Sequence, residues 1–299
     1  MTTSILIQAR QLPLLTKMAD YIAICKAKVV LLLVLTAWVG LALAPDMSRS
    51  IWLQLASLAG IGVLAAAAAA INHVVDREID RQMARTRHRP VAMERLSTKQ
   101  ALWFAALMTV CGTTLLIFAA NLLCAMLTLA SLVGYAVVYT SFLKRRTPQN
   151  IVIGGLAGAM PPLLGWVSET GALAAEPWLL VMIVFTWTPP HFWALAIARR
   201  QDYARANVPM LPVTHGVEFT KLCILIYTII LTLVCVLPYL IGMSGWVYLA
   251  SACVLNGMFL QKAVELWRRG NDQMAMRVFR FSILHLLLLF VALFIDRWV

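Results

Sequence analysis

The apolar residues of this chain neither alternate nor recur on one narrow face. They come in long runs interrupted by short polar clusters. Nine such runs lie roughly at 24–44, 52–73, 101–120, 122–142, 150–167, 177–198, 221–242, 245–262 and 277–296. A helix needs about 20 predominantly apolar residues to cross the hydrocarbon core of a bilayer. The pattern therefore predicts an all-α, polytopic membrane protein: a bundle of about nine transmembrane helices in one domain over 1–299, with 1–23 as an N-terminal cytoplasmic arm. Pro45 ends the first run and Asn121 marks a tight turn between the third and fourth. Spans three and four contain no charge and read as scaffold. Span two is unusually small in side-chain size from Ala65 to Ala70, which lets a neighbouring helix approach closely. Span five contains Gly154, Gly155, Gly158 and Gly165 with Pro161 and Pro162. It predicts a kinked helix whose bare backbone serves either close packing or the clearance of space for a bulky ligand. Pro238 predicts a kink in span seven. Pro189-Pro190 predicts disruption of span six, with the freed carbonyls buried or lining a cavity.

Composition agrees with this pattern: 62% of residues are hydrophobic and 13% charged, against about 25% charged in soluble domains. The net charge of +12 raises the question of nucleic acid, but placement answers it. Of the 25 lysines and arginines, 23 fall on one side of the predicted spans, and only Arg49 and Arg297 fall on the other. That asymmetry follows the positive-inside rule, with the N-terminus cytoplasmic and the C-terminus outside. The lipid bilayer is thus the expected partner, and no nucleic acid is. The six cysteines are scattered through apolar runs without metal-ligand spacing and read as small packing residues. The first residues show no cleavable signal pattern. Lys26 and Lys28 open the first span and can snorkel to the interface or face an interior site, snorkelling being the simpler role.

Two polar clusters stand out. Span two runs into Asn72-His73-Val74-Val75-Asp76-Arg77-Glu78-Ile79-Asp80, followed by Arg85, Arg87 and Arg89 before Pro90. If the helix continues, Asn72, Asp76 and Asp80 fall at i, i+4 and i+8 on one slowly drifting stripe, with consecutive members roughly 6 Å apart along the axis. Such a stripe suits Mg²⁺, which takes oxygen ligands and is commonly held by one or two carboxylates together with substrate phosphates. Guanidinium forks match phosphate oxygens. The alternative is a solvated cap that keeps the helix from sliding into the bilayer. The second cluster, Trp187-Thr188-Pro189-Pro190-His191-Phe192-Trp193 followed by Arg199, Arg200, Asp202 and Tyr203, closes span six on the same side. An ionisable His191 within a span points to function, or simply to a hydrogen bond with a freed carbonyl. His285 in span nine reads as a packing residue.

The finer spacing resembles a known family. Asn72-xxx-Asp76-xxx-Asp80 resembles the first acidic motif of the UbiA superfamily of intramembrane prenyltransferases. Asp80-xxxx-Arg85-Thr86-xx-Arg89-Pro90, Tyr139-Thr140-xx-Leu143-Lys144-Arg145-x-Thr147-xx-Asn150, Pro189-Pro190-His191-Phe192-Trp193 and Pro209-Met210-Leu211-Pro212 resemble its haem-farnesylating branch. The resemblance covers 24–298 in layout and is densest from 72 to 216. It implies a helical bundle with a central cavity open near the cytoplasmic face of the inner membrane. It also implies transfer of farnesyl from farnesyl diphosphate to the 2-vinyl group of haem B, giving haem O. Haem B and farnesyl diphosphate are then substrates, Mg²⁺ the cofactor, and haem A synthase or terminal oxidase assembly the downstream partners to consider. Many superfamily members have a second acidic pair after span six. Here Asp202 has Ala198 four residues before it and Ala206 four after, so it either helps hold metal or orients Lys144 or an arginine.

On that resemblance Asn72, Asp76 and Asp80 hold the metal. Arg85, Arg89, Lys144 and Arg145 clamp the leaving diphosphate, with Lys144 and the three metal-site residues as the catalytic set. His191, Trp193, Arg199, Asp202 and Tyr203 are the candidates for contact with haem, His191 at the iron or a propionate and Arg199 at a propionate. Two rivals remain: the same chemistry on an aromatic quinone precursor, and a haem carrier or transporter with ionisable residues deep within its spans.

Overall fold

The computed structural model describes residues 14–299, apart from the side chains at 14, 15 and 145; residues 1–13 of the expected arm lie outside them. Among the described residues there are helices and no strand. Eight helices are long and apolar enough to cross a membrane, and a bent pair supplies a ninth crossing. That pair is α1 (Leu14–Ile24) and α2 (Ala27–Ala42), meeting at 47° where Lys26 adopts the left-handed conformation, φ 51° and ψ 50°. The protein is thus a polytopic membrane protein, and the spans fall where the apolar runs place them.

Helix α3 (Ile51–Val75) is followed at once by α4 (Arg77–Gln82). The backbone barely registers the junction: the Asp76 N–H donates to Asn72 O at 2.9 Å and the Asp80 N–H to Asp76 O at 2.8 Å. The i, i+4, i+8 stripe therefore survives. Helix α5 (Thr98–Ala119) opens with a capping box made by Ser97 and Gln100, which satisfies orphan N–H groups reciprocally. Helix α6 (Leu122–Val133) is capped by the Asn121 side chain, which accepts from the Cys124 N–H at 2.8 Å. It then widens into a ten-residue π-helix, Gly134–Leu143, and ends in α7 (Lys144–Arg146). π-Helical turns are rare and cluster at functional sites. Span four is for that reason more than scaffold.

Span five is interrupted at Met160, between α8 (Asn150–Ala159) and α9 (Pro161–Thr170). Proline is tolerated at a helix's first position because its missing N–H would be unpaired there anyway. Span six, α10 (Glu176–Ala198), overturns the expected break, since the helix runs unbroken through Pro189 and Pro190. The hydroxyls of Thr186 and Thr188 donate to the carbonyls of Met182 and Val184, both at 2.8 Å. Its window is 83% buried, against 22% for the third and fourth spans. Surrounding helices therefore hold α10 in the conformation that two prolines would otherwise disrupt. After it come α11 (Arg200–Arg205), α12 (Leu211–Thr214), α13 (Val217–Val234), α14 (Leu237–Leu240), α15 (Trp246–Arg269) and α16 (Asp272–Asp296). Pro238 sits in α14, just past an interruption of span seven at 235–236.

Small residues fix the closest contacts. A Cβ on Gly165 would lie 1.8 Å from Ala37 O, and one on Gly40 would lie 1.9 Å from Pro162 O. Helices α2 and α9 therefore touch backbone to backbone. Gly60 and Gly112 play the same part between α3 and α5, each facing the other's carbonyl at 3.3 Å. At the end of the bundle away from the acidic stripe, Arg49 gathers chain ends. Its guanidinium donates to Ala119 O, to Ala120 O at 2.9 Å and to Ser168 O at 3.4 Å, and its N–H to Glu169 Oε1 at 3.1 Å. A cation among helix-terminal carbonyls is stabilised by the macrodipole as well as by the bonds.

Candidate active site

Asn72, Asp76 and Asp80 are 3%, 2% and 2% exposed. Burying a carboxylate costs several kcal/mol unless charge and hydrogen bonds compensate, and here basic residues from three segments supply the compensation. Lys144, at the end of the π-helical span, donates to Asp76 Oδ2 at 2.6 Å. Arg89, from the loop after α4, donates to both oxygens of Asp80 at 2.9 and 2.8 Å. Lys26, at the bend of the first span, donates to Asn72 Oδ1 at 2.5 Å. The Asn72 amide group in turn donates to Asp76 Oδ2 at 2.8 Å and reaches Thr140 Oγ1 at 3.3 Å. The Thr140 hydroxyl donates in turn to Tyr135 O at 2.8 Å, one wide turn back within the π-helix. The widened turn thus helps set where Lys144 arrives. Gly154 of α8 makes room beside it: a Cβ there would lie 2.0 Å from the Tyr139 ring.

One feature of this cluster is unsatisfied. Asp76 Oδ1 is buried and has no hydrogen-bond partner. A buried carboxylate oxygen without a donor is costly, and it is the natural point for an oxygen-seeking cation. The donor set of Asn72, Asp76 and Asp80 is hard and anionic, which fits Mg²⁺. Among the described residues there is no group of three or more His, Cys, Asp or Glu able to enclose a metal. A cation held here would therefore share its shell with ligand or water oxygens, as Mg²⁺ commonly does.

The loop side of the site is basic. Burial pushes the Asp80 carboxyl above its ordinary range, while the charge and hydrogen bonds of Arg89 hold it down. Burial likewise pushes the Tyr203 phenol upward; the Arg85 guanidinium beside it opposes the shift, and the charges of Arg89 and Asp76 also reach it. Arg85, Tyr203 and the acidic stripe thus share one neighbourhood. Asp202 is buried at 6% exposure, and its basic neighbour is Arg205, at 3.7 Å, rather than Lys144. The Arg145 side chain lies outside the described residues.

The second cluster is arranged differently. His191 is stacked between Trp187 and Phe279, with centroids at 4.3 and 4.5 Å, and its Nδ1 lies 2.6 Å from Ser282 Oγ. Trp193 packs edge-on to Tyr227 at 5.3 Å. These two rings join α10 to α16 and α13. Arg199 is exposed, and Arg200 pairs with Asp272. His285 is buried, 3.0 Å from Asn256 Oδ1, as a packing histidine should be.

The sequence did not single out Thr140, nor His73, which is 3% exposed with both ring nitrogens unpartnered, and of the two roles open to Lys26 the structure shows the inward-facing one rather than the simpler snorkelling one. The signal for Lys26 was its position opposite the acids in a bundle, which spacing along one chain does not show.

The chain matches the UbiA prenyltransferase family over residues 33–292. It is 66% identical to a protoheme IX farnesyltransferase 2 of Pseudoalteromonas translucida, over 96% of this chain and 94% of the relative. It is 62% identical to the protoheme IX farnesyltransferase of Psychromonas ingrahamii, over 93% and 90%. A solved structure described as a digeranylgeranylglyceryl phosphate synthase superposes with a TM-score of 0.77 at 17% identity, covering 94% of this chain and 99% of that one. A UbiA homologue from Archaeoglobus fulgidus, bound to GPP and Mg²⁺, superposes with a TM-score of 0.64 at 14% identity, covering 92% and 99%.

Proposed function

The chain belongs to the UbiA prenyltransferase family and, within it, to the protoheme IX farnesyltransferases, and we propose that its buried acidic stripe is the centre at which farnesyl diphosphate is ionised. The overall reaction is transfer of the farnesyl group to the 2-vinyl group of haem B, with addition of water, to give haem O and diphosphate. One observation carries the assignment of the centre: two buried carboxylates, one with an orphaned oxygen, stand bonded to lysine and arginine side chains.

Ionisation of an allylic diphosphate is limited by the charge left on the departing group. Asn72, Asp76 and Asp80 would hold Mg²⁺, which when bound neutralises part of that charge. Lys144 and Arg89, beside those carboxylates, would with Arg85 and Arg145 bind the diphosphate oxygens. Donors already placed where charge develops need little reorganisation, and stabilisation of this kind commonly contributes more to catalysis than any other effect. The C1–O bond of the farnesyl group breaks, the vinyl group supplies the electrons for the new C–C bond, and water closes the resulting cation as a hydroxyl with loss of a proton. Tyr203 and Asp202 would line the haem side, with Arg199 available to a propionate. His191 and Trp193 act from behind, by packing α10.

The placement of 23 of 25 basic residues supports a cytoplasmic membrane location with the N-terminus inside and the C-terminus outside. Reconstitution tests the function. The purified protein with haem B, farnesyl diphosphate and Mg²⁺ is expected to give a haem heavier by farnesyl plus hydroxyl. No change in haem, with prenylation of an aromatic acid instead, would overturn the assigned acceptor.

A further inference from the structure

We propose that Lys26 is a substrate-binding residue, the cation of the first span that completes the diphosphate site; the inference rests on the reading of the acidic stripe given above. Lys28, two residues on, is exposed, as a lysine at an interface should be. Lys26 instead turns inward, to Asn72 Oδ1.

The backbone is bent to put it there. A non-glycine residue in the left-handed region is strained and persists only where its surroundings over-determine it. At Lys26 that conformation coincides with the 47° bend between α1 and α2. A straight helix through this point would send the side chain elsewhere. The Lys26 carbonyl still accepts the first bonds of α2, from Val29 N at 2.8 Å and Val30 N at 3.1 Å. The bend is therefore a built feature rather than a frayed end.

Charge balance gives the residue its role. Lys26, Arg89 and Lys144 face the carboxylates of Asp76 and Asp80, so the cluster already has one cation more than its acids require. Lys144 and Arg89 each have a carboxylate. Lys26, partly buried, has only a neutral amide oxygen. A divalent cation on the acids would raise that surplus further, which suits a ligand bearing several negative charges. Lys26 is the member of the set whose charge has no anion until that ligand arrives.

The test uses Lys26→Gln, whose amide can still donate to Asn72 Oδ1 but has no charge. The readouts are the KM for farnesyl diphosphate, the KM for haem B, and inhibition by inorganic diphosphate with Mg²⁺. The expected result is at least a tenfold rise in the KM for farnesyl diphosphate and in the inhibition constant of inorganic diphosphate. The KM for haem B stays unchanged, Lys26→Arg recovers much of the loss, and Lys28→Gln behaves as wild type. Unchanged constants in Lys26→Gln would overturn the proposal. So would a loss that Lys26→Arg shares equally, because the shape of the bend and not the charge would then matter. If Lys26→Gln does not fold, Lys26→Arg carries the test, expected to fold and bind inorganic diphosphate. Wild-type protein unable to convert farnesyl diphosphate would instead overturn the underlying reading, a distinct outcome.

Discussion

Replacing Lys144 by Met separates what the Lys144–Asp76 pair does for stability from what it does for catalysis. Lys144 Nζ stands 2.6 Å from Asp76 Oδ2, with side-chain exposures of 13% and 3%. Without the lysine, Asp76 keeps only the Asn72 amide as a donor, and its other oxygen is already unpartnered. Stranding a buried charge in this way costs about 3–5 kcal/mol, or roughly 5–8 °C in thermal midpoint for a chain of this length. Asp76→Asn strands the more exposed partner and should sit at the low end of that range. The double variant strands neither, so it should return to within about 1 kcal/mol of wild type, far less than the sum of the two single losses. Turnover behaves otherwise. Both singles and the double should fall at least ~100-fold, because a metal-holding carboxylate and a leaving-group donor each act in the transition state. The protein supplies its own probe of unfolding: Cys124 and Cys235 are free and buried, and become reactive to a thiol dye when the bundle opens. A Lys144→Met protein as stable as wild type, or a double variant that regains turnover with its stability, would refute the reasoning.

Other expectations are independent of that pair. Arg49→Met removes the donors to Ala119, Ala120 and Ser168 carbonyls and should cost about 2–3 kcal/mol; turnover at low temperature should stay near wild type, since the residue lies at the far end of the bundle. Gly165→Ala drives a Cβ to 1.8 Å from a backbone oxygen, so its loss of thermal midpoint should match or exceed the about 1–3 kcal/mol usual for overpacking. Gly158→Ala meets nothing within 4 Å and should be neutral to thermal melting. His191→Phe keeps the stack with Trp187 and Phe279 and should retain turnover and an unchanged spectrum of bound haem; a shifted Soret band would instead make the histidine an iron ligand.

The spans and the acidic stripe were legible in the sequence because both depend on local periodicity. Apolar runs of the right length must be helices in a bilayer, and the i, i+4, i+8 order of Asn72, Asp76 and Asp80 survives because the backbone bonds across Asp76 are kept. What was not legible depends on contacts between distant segments. Pro189-Pro190 reads locally as a breaker, yet packing on every side of α10 keeps it helical. The partner of His191, Ser282, lies 91 residues away and has no mark in the local sequence. Lys26 reads as a snorkelling anchor until the bend turns it 46 residues forward onto Asn72. The π-helix ahead of Lys144 has no local sequence mark at all.

The most direct test of the central claim is single-turnover release of diphosphate from farnesyl diphosphate, followed alongside formation of farnesylated haem, for wild type and for Asp76→Ala. The wild type is expected to release diphosphate and form product together, and only with Mg²⁺ present. Asp76→Ala, shown folded by its protected thiols, is expected to release none. Full diphosphate release by a folded Asp76→Ala protein would contradict the assignment of the acidic stripe as the ionising centre.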